Sequence, residues 1–209
     1  MIPRLLIRCV PEHVPTQHED YWARWQGLHP GWGSITWQDP IDPDLFPISS
    51  HAWPHVRAGA ALAGLVRLEA LATWGGTYLD WDVRPARALD DLLGAPGGLW
   101  AAWEDAEHVP DAVFGCEAGH PIVVEMLHEA VAMTLAGESI WETSVGLFTR
   151  YLPLAERRGL ATILPPESFF PVHYATERAH PGASHAYVPP PDQVCYGVHE
   201  WAWSWKGQG

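Results

Sequence analysis

The chain is poor in basic residues, and lysine is nearly missing. Its 209 residues include 25 aspartates and glutamates against 12 lysines and arginines, which gives a formal net charge of -13. Lys206 is the one lysine, so the remaining basic residues are arginines. A protein that binds duplex nucleic acid gains most of its non-specific affinity from basic side chains that displace phosphate counterions. The composition therefore predicts that duplex nucleic acid is not a partner.

Cysteine and long apolar runs are also scarce. The three cysteines, Cys9, Cys116 and Cys195, are too few and too scattered for a disulfide framework or a zinc knuckle. No segment reaches the roughly 20 apolar residues that a transmembrane helix needs, and the start of the chain has no cleavage site of the secretory type. With 47% hydrophobic and 18% charged residues the composition is globular. We expect a soluble, cytoplasmic protein that forms one domain over residues 1–209.

Tryptophan, in contrast, is abundant, with 13 residues. Indole rings fill hydrophobic cores, but flat rings at the wall of a cleft also stack on sugars and bases. We expect most of the tryptophans in the core and some of them at a ligand-binding cleft.

Segments typical of strands and helices alternate along the chain. Strands are predicted at 4–10, 34–37, 77–83, 99–103, 112–116 and 161–164, and helices at about 17–28, 55–74, 121–136 and 142–158. Thr16 and Glu19 have capping-box spacing, and Gly75-Gly76 predicts a left-handed helix cap. Residues 165–209 look like a loop-rich segment that closes the active site. The alternation predicts an α/β fold with a mostly parallel central sheet flanked by helices.

In such folds the ligand binds at the carboxyl ends of the strands, which directs attention to Asp80-Trp81-Asp82. In an extended chain the two carboxylates share a face, with their Cα atoms about 6.5–7 Å apart, while Trp81 points the other way into packing. Paired carboxylates suit Mg²⁺ or Mn²⁺ held together with substrate phosphates. By itself, however, the tripeptide is a weak signal, because a solvated acidic turn explains most occurrences of it.

Its surroundings are more specific. Residues 67–83 place an arginine on a helix, then a Gly-Gly turn, then Tyr-Leu-Asp-Trp-Asp. This pattern resembles the signature of the DXD-containing glycosyltransferases, the family related to yeast α-1,6-mannosyltransferases, capsular sugar transferases and glucosylating clostridial toxins. Residues 115–121, 165–171 and 199–205 resemble further motifs of that family, in the right order. The resemblance implies a GT-A-like nucleotide-sugar-binding fold.

It also implies the reaction: metal-dependent transfer of a sugar from a UDP- or GDP-sugar to an acceptor that the sequence does not identify, generally with retention of configuration. Carried over by resemblance, Asp82 would bind Mn²⁺ or Mg²⁺ directly, and Asp80 would contact the ion or the ribose of the donor. His199 would complete the metal site.

The donor contacts are likewise implied by the resemblance. Arg67 would reach from its helix to donor phosphate or sugar hydroxyls, a task suited to a guanidinium. Tyr78 would lie near the nucleotide base. Ser204 and Trp205 would reach the donor diphosphate.

The chain departs from the family pattern in two places. Gly64 stands where the family usually has an aspartate that touches the donor sugar, three residues before the helix arginine. Ile7 and Val10 stand where the opening strand often carries His and Trp. Base recognition must then come from elsewhere, and Trp37 and Trp53 are candidates.

These departures keep a second hypothesis open: a catalytically degenerate transferase that acts as a glycan- or nucleotide-sugar-binding protein. A third hypothesis, a metal-dependent phosphohydrolase, uses the same aspartates but lacks a further cluster of acidic or histidine ligands.

Overall fold

A computed structural model describes residues 1–56 and 59–202 and contains a six-stranded sheet. The strands are, in chain order, β1 Leu5–Val10, β2 Gly33–Gln38, β3 Gly76–Leu79, β5 Leu99–Ala102, β6 Val113–Cys116 and β7 Thr162–Leu164. A separate two-stranded ribbon is formed by β4 Val83–Pro85 and β8 Gly197–His199.

The spatial order of the sheet is β2-β1-β3-β6-β5-β7. β1 pairs in parallel with both β2 and β3, and β5 pairs in parallel with β7. β6 runs antiparallel to both of its neighbours, β3 and β5. The prediction of a mostly parallel sheet is therefore confirmed, with β6 as the exception.

The helices are α1 Thr16–Leu28, α2 Gly59–Trp74, α3 Pro121–Leu135, α4 Leu147–Arg157, α5 Tyr174–Ala179 and α6 Ala183–Ala186. Short 3-10 turns lie at Pro43–Leu45, Ser50–His55, Asp90–Leu92, Pro96–Gly98 and Pro166–Ser168, and a π-helical turn at Glu142–Gly146 precedes α4. Residues 165–202 thus hold more regular structure than the predicted loop-rich segment. No helix within the described ranges combines the length and apolarity needed to cross a membrane.

Alternate residues of the strands face two different cores. Ile7 of β1 and Tyr78 of β3 belong to the core that α2, α3 and α4 cover. Leu6 and Leu79 belong to the opposite core, together with Trp25 of α1. This alternation is the period-2 pattern of strands that are buried on both faces. It confirms a central sheet flanked by helices.

Of the two predicted helix caps, the structure confirms the one that ends α2 and contradicts the one that begins α1. Gly75 has φ 64° and donates its N–H to the Leu71 carbonyl at 2.9 Å, so the left-handed cap of α2 is confirmed. The capping box at α1 is wrong, because Thr16 is already helical, Pro15 is the N-cap residue and no side chain caps the helix.

The predicted strand over 77–83 is also corrected. β3 ends at Leu79, residues 80–82 form a turn in which Val83 N–H donates to the Asp80 carbonyl at 3.1 Å, and β4 then leaves the main sheet. The Asp-Trp-Asp segment is therefore a turn rather than an extended rim. The two carboxylates are brought together by the turn and by the segment that pairs with β4.

Candidate functional site

A cleft of about 700 Å³ opens at the carboxyl ends of the parallel strands. Cys9 and Val10 of β1 line one side, and Glu104 and Asp105, which follow β5, line the other. Asp80 and Asp82 lie on the wall between them. This is the edge at which the α/β class places its ligands.

Asp80, Asp82 and His199 converge within this cleft. His199 Nε2 lies 3.5 Å from Asp82 Oδ1 and 3.9 Å from Asp80 Oδ2. One ligand atom of each side chain falls within 4.8 Å of the other two. The structure therefore brings together the three residues to which the family resemblance assigns the metal. Two carboxylates and one imidazole form a donor set that accepts a divalent cation.

The β4–β8 ribbon is what carries His199 to the aspartates. In its antiparallel register His199 is the direct partner of Val83, the residue that follows Asp82. The Glu200 N–H donates to the Asp82 carbonyl at 3.1 Å, and the Ala202 N–H donates to Asp82 Oδ2 at 2.7 Å. The C-terminal segment thus fixes one carboxylate oxygen of Asp82 and leaves Oδ1 facing the imidazole.

Asp80 is held from the opposite side. Its Oδ1 accepts the Tyr78 hydroxyl at 2.8 Å and lies 3.2 Å from Arg67 Nη2. The Arg67 guanidinium stacks on the Tyr78 ring, 4.4 Å from its centroid, and its Nη1 donates to the Asp111 carbonyl at 2.7 Å. Oδ2 of Asp80 is left to face His199.

The charges of these groups support one another. Burial opposes ionisation of Asp80, but Arg67 and His199 lower the pKa of its carboxyl below the usual value. Burial likewise opposes the charged form of His199, but Asp82 and Asp80 raise the pKa of the imidazole. The pKa of Arg67 is raised by Asp111 and Asp80 despite its burial. The guanidinium is therefore a fixed cation at the cleft wall.

Asp111 is a cleft residue that the sequence analysis missed. Its Oδ1 accepts the Ser144 hydroxyl at 2.6 Å, and its Oδ2 lies 3.5 Å from Arg67 Nη1. A Cβ added to Gly64 would lie 3.8 Å from Oδ2. Asp111 reaches the cleft because β6 is antiparallel, so its amino end lies at the same edge as the carboxyl ends of its neighbours.

Other residues implied by the resemblance occupy different surroundings. Tyr78 has no exposed surface and lies behind Arg67, so in place of the expected contact with the base it orients Asp80. Trp37 stacks on Trp74 at 5.6 Å, and Trp53 packs on Phe46 at 5.8 Å. Both base candidates thus belong to an aromatic cluster outside the residues that line the cleft.

Among the tryptophans of the described ranges, Trp81, Trp141 and Trp201 do line the cleft. Trp81 was expected to point into packing, and it does make an edge-to-face contact with His18 at 4.6 Å. Ser204 and Trp205, the expected diphosphate contacts, lie outside the described residues.

Comparison with known proteins agrees with this geometry. Residues 15–96 match the family model described as "glycosyltransferase sugar-binding region containing DXD motif". The matched range contains Arg67, Tyr78, Asp80 and Asp82, whereas His199 and Asp111 lie beyond it.

Among curated proteins the chain is similar to inositol phosphoceramide mannosyltransferase 3 of Schizosaccharomyces pombe, with 24% identity over 193 residues. The match covers 84% of this chain and 52% of the relative, so the chain spans about half the length of that protein.

Among solved structures the chain is similar to the PaToxG glycosyltransferase, with a TM-score of 0.59 and 13% identity over 75% of this chain and 69% of that one. The UDP-bound glycosyltransferase domain of the YGT toxin gives a TM-score of 0.54 and 8% identity over 78% and 79% of the two chains. At these identities the likeness is one of fold. Residues 15–96 are therefore similar to the sugar-binding region of the DXD-containing glycosyltransferases, and the chain has a GT-A-like α/β fold.

Proposed function

We propose that this protein is a metal-dependent glycosyltransferase that moves a sugar from a nucleotide-diphosphate donor to an acceptor hydroxyl. The observation that carries the proposal is the convergence of Asp80 Oδ2, Asp82 Oδ1 and His199 Nε2 at the wall of the cleft. Transfer with retention is proposed from the family resemblance. The single domain over residues 1–209 and the cytoplasmic location stay predictions.

The donor set supports Mn²⁺ or Mg²⁺ as the ion. Protein donors occupy one oxygen of each aspartate, namely Tyr78 and Arg67 on Asp80 and the Ala202 N–H on Asp82. The remaining oxygens face the imidazole, as ligands on a shared ion would. A bound divalent ion would supply stabilisation of the charge that develops on the departing diphosphate. It also gives a protein of net charge -13 a means of binding an anionic donor.

Arg67 and Asp111 would orient the donor sugar. The guanidinium is positioned by the Ala63 carbonyl at 3.2 Å and by Asp111, so it faces the cleft without having to reorganise when the donor binds. The Asp111 carboxylate accepts from Ser144 and has capacity left to accept from a sugar hydroxyl. Its place beside Gly64 lets it provide the carboxylate that the helix lacks.

The nucleotide base would bind at the ends of β1 and β2. Val10, Asp39 and Ile41 line that side of the cleft and present apolar surface with one carboxylate. Burial raises the pKa of Asp39. A carboxylate there accepts N–H groups, which both uracil and guanine carry on their polar edges, so UDP and GDP donors both fit this chemistry.

The test is thermal unfolding in the presence of Mn²⁺ with UDP, GDP and their sugar conjugates. We expect one nucleotide family to raise the Tm, and we expect Asp82→Asn to remove the part of the shift that depends on Mn²⁺. Asp44→Asn is the matched control, because that aspartate is exposed and lies outside the cleft. The absence of a shift with every nucleotide would contradict the proposal.

Hydrolysis of the stabilising nucleotide sugar separates an enzyme from the degenerate binding protein. An active transferase releases nucleoside diphosphate slowly with water as the acceptor, and Asp80→Asn should abolish that release. A protein that binds the donor with the same Tm shift but releases no diphosphate, with or without added acceptors, is the binding protein instead.

A further inference from the structure

A second cluster of polar side chains lies in the same cleft, on the side away from β1. Glu104, Asp105 and His173 each place one ligand atom within 4.8 Å of the other two. Nothing in the proposed donor site uses them. Two of the three belong to the loop after β5, and His173 is the N-cap residue of α5.

His173 is held with a defined orientation. Its Nδ1 accepts the Ala175 N–H at 3.1 Å, so the neutral ring carries its proton on Nε2. That Nε2 lies 3.3 Å from Asp105 Oδ2 and 3.6 Å from Glu104 Oε1. His173 therefore directs its Nε2–H to Asp105 Oδ2, with the Glu104 carboxylate on the same side.

The two carboxylates differ in how fully they are used. Asp105 Oδ1 accepts the N–H groups of Glu107 at 2.7 Å and His108 at 2.8 Å, and the His108 ring lies 3.0 Å from Oδ2. The Glu104 side chain, only 14% exposed, accepts no hydrogen bond from any residue in 1–56 or 59–202. Asp105 thus fixes the loop, and Glu104 offers unused acceptor capacity next to the His173 donor.

An exposed ring stands at the border of this cluster. Trp141 is 50% exposed, and its ring lies over Gly146, where an added Cβ would come within 2.9 Å of it. The His108 ring contacts Trp141 edge-on at 6.3 Å. Trp141 therefore packs against Gly146 and His108 and keeps one surface open to the cleft.

The cluster is also continuous with the proposed metal site. Tyr174 follows His173, and its ring contacts Trp201 at 5.6 Å. Trp201 in turn contacts the His199 ring at 4.4 Å. A ligand bound at Glu104 would therefore lie beside the donor within one cleft.

We propose that Glu104, His173 and Trp141 form the acceptor subsite, and that its ligand is a neutral polyhydroxylated ring such as a sugar residue. This inference rests on the proposed transferase function. The unused acceptor capacity of Glu104 matches a hydroxyl group, which donates to it, and the same hydroxyl would share the His173 Nε2–H with Asp105. An exposed indole offers the flat apolar surface on which sugar rings stack.

Charge selects among acceptors. Two carboxylates line this part of the cleft, and the nearby histidines pair with them. An anionic group placed here would be repelled, whereas hydroxyl groups would be held.

Saturation-transfer-difference NMR with small neutral rings tests the proposal. The probes are methyl α-mannopyranoside, methyl β-galactopyranoside and myo-inositol, with glucose 1-phosphate as the anionic comparison, each with and without Mn²⁺ and nucleotide. We expect saturation of at least one neutral ring and none of the phosphate ester. Glu104→Gln and Trp141→Ala should each reduce the signal about fivefold or more, the effect of losing one good contact.

Two variants serve as controls. Glu107→Gln removes an exposed carboxylate from the same loop and should leave the signal unchanged. Trp141→Phe keeps a ring and should restore most of the signal lost in Trp141→Ala.

Each other outcome overturns the inference. Binding of no neutral ring, or ring binding that both variants retain, excludes this subsite. The alternative is that the cluster binds a cation instead of a ring, and Mn²⁺ titration followed by electron paramagnetic resonance tests it. A second bound Mn²⁺ that is lost in Glu104→Gln would assign the cluster to a cation. The donor proposal is tested by a different measurement, the nucleotide-dependent Tm shift. Ring binding is also measured without nucleotide, so the two proposals can fail independently.

Discussion

Oδ2 of Asp111 lies 3.8 Å from the position that a Cβ on Gly64 would occupy. The same oxygen lies 3.5 Å from Arg67, one turn further along α2. An aspartate at position 64 would therefore direct its carboxylate into space that Asp111 already holds, beside the same guanidinium. Asp111, just before the amino end of β6, thus places a carboxylate beside the Arg67 guanidinium, where Gly64 offers none.

This relationship predicts the behaviour of a swap. Asp111→Ala should lower kcat/KM for the donor about 10- to 100-fold, which corresponds to about 1.4–2.8 kcal/mol of lost transition-state stabilisation. Gly64→Asp alone should also be harmful, because two carboxylates would then share one arginine. In the double variant the new aspartate replaces the lost one, so activity should recover above that of Asp111→Ala.

Donor hydrolysis and acceptor transfer at saturating metal measure the swap. Ser144→Ala is the matched control, since it removes a hydrogen bond from Asp111 but leaves the carboxylate in place. Strictly additive losses in the double variant would show that the two positions do not exchange roles.

A second prediction concerns Arg67 and acid. Since the folded-state pKa of Asp80 is depressed below 3.8, the stability that this group contributes is present above pH 3.8 and is lost as the pH falls through the folded pKa. In Arg67→Gln the cation is gone while burial still opposes the charge. We expect a loss of about 3 kcal/mol at pH 7 and a smaller difference from wild type at pH 3.5.

Urea unfolding of both proteins at the two pH values provides the measurement. Arg87→Gln breaks an exposed i,i+4 pair with Asp91, whose side chains are about half exposed, and should cost about 1 kcal/mol or less at either pH. A wild-type–variant gap of equal size at pH 7 and pH 3.5 would argue against an ionised Asp80 as its cause.

Local patterns account for most of what the sequence predicted correctly. The period-2 burial of β1 and β3 and the glycine cap of α2 depend on neighbouring residues alone, and both are present. The position of Asp111 depends on strand direction, which side-chain patterns do not reveal. One signal was available: only residues 103–112 separate β5 from β6, fewer than the dozen or more that a parallel crossover needs.

The site required long-range information in the same way. His199 and Asp82 are far apart in sequence, and only the β4–β8 register brings them together. The family resemblance anticipated that meeting, whereas periodicity could not. Glu104 and His173 belong to loops whose path depends on packing, so no pattern connected them with the cleft.

A third prediction concerns the centre of the sheet. A Cβ on Gly115 would lie 2.5 Å from Trp100 Nε1 and 2.9 Å from Thr77 Oγ1, on the two strands that flank β6. Trp100 has no exposed surface and stacks on Phe169 at 5.5 Å, so its ring has little freedom to move. Gly115→Ala should therefore cost about 1–3 kcal/mol.

Thermal unfolding measures this cost, at about 2–4 °C of Tm for each kcal/mol in a chain of this length. Gly27→Ala is the matched control, because an added Cβ there meets no atom within 4 Å and helix propensity favours alanine by about 0.5–1 kcal/mol. Gly115→Ala with the Tm of the wild type would contradict the contacts at this position.

The last prediction links the ribbon to the metal. An added Cβ on Gly197 would lie 3.0 Å from both Trp25 and Val83 and 3.2 Å from the Arg84 carbonyl. Trp25 donates its Nε1–H to the Val83 carbonyl at 2.8 Å, so these two residues hold each other in place. We therefore expect the added methyl group to displace β8. His199 lies two residues further along β8, opposite Val83, and moves with the strand.

Gly197→Ala should therefore weaken Mn²⁺ binding about 10-fold or more, although residue 197 does not face the ion. Losing a group that orients a metal ligand commonly lowers metal affinity by about 10- to 100-fold. Isothermal titration of Mn²⁺ checks this expectation against His199→Ala, which should lose more affinity, and against Gly27→Ala, a helix glycine outside the cleft with no atom within 4 Å of its added Cβ. Equal Mn²⁺ affinity in Gly197→Ala and wild type would show that the ribbon does not set the position of His199.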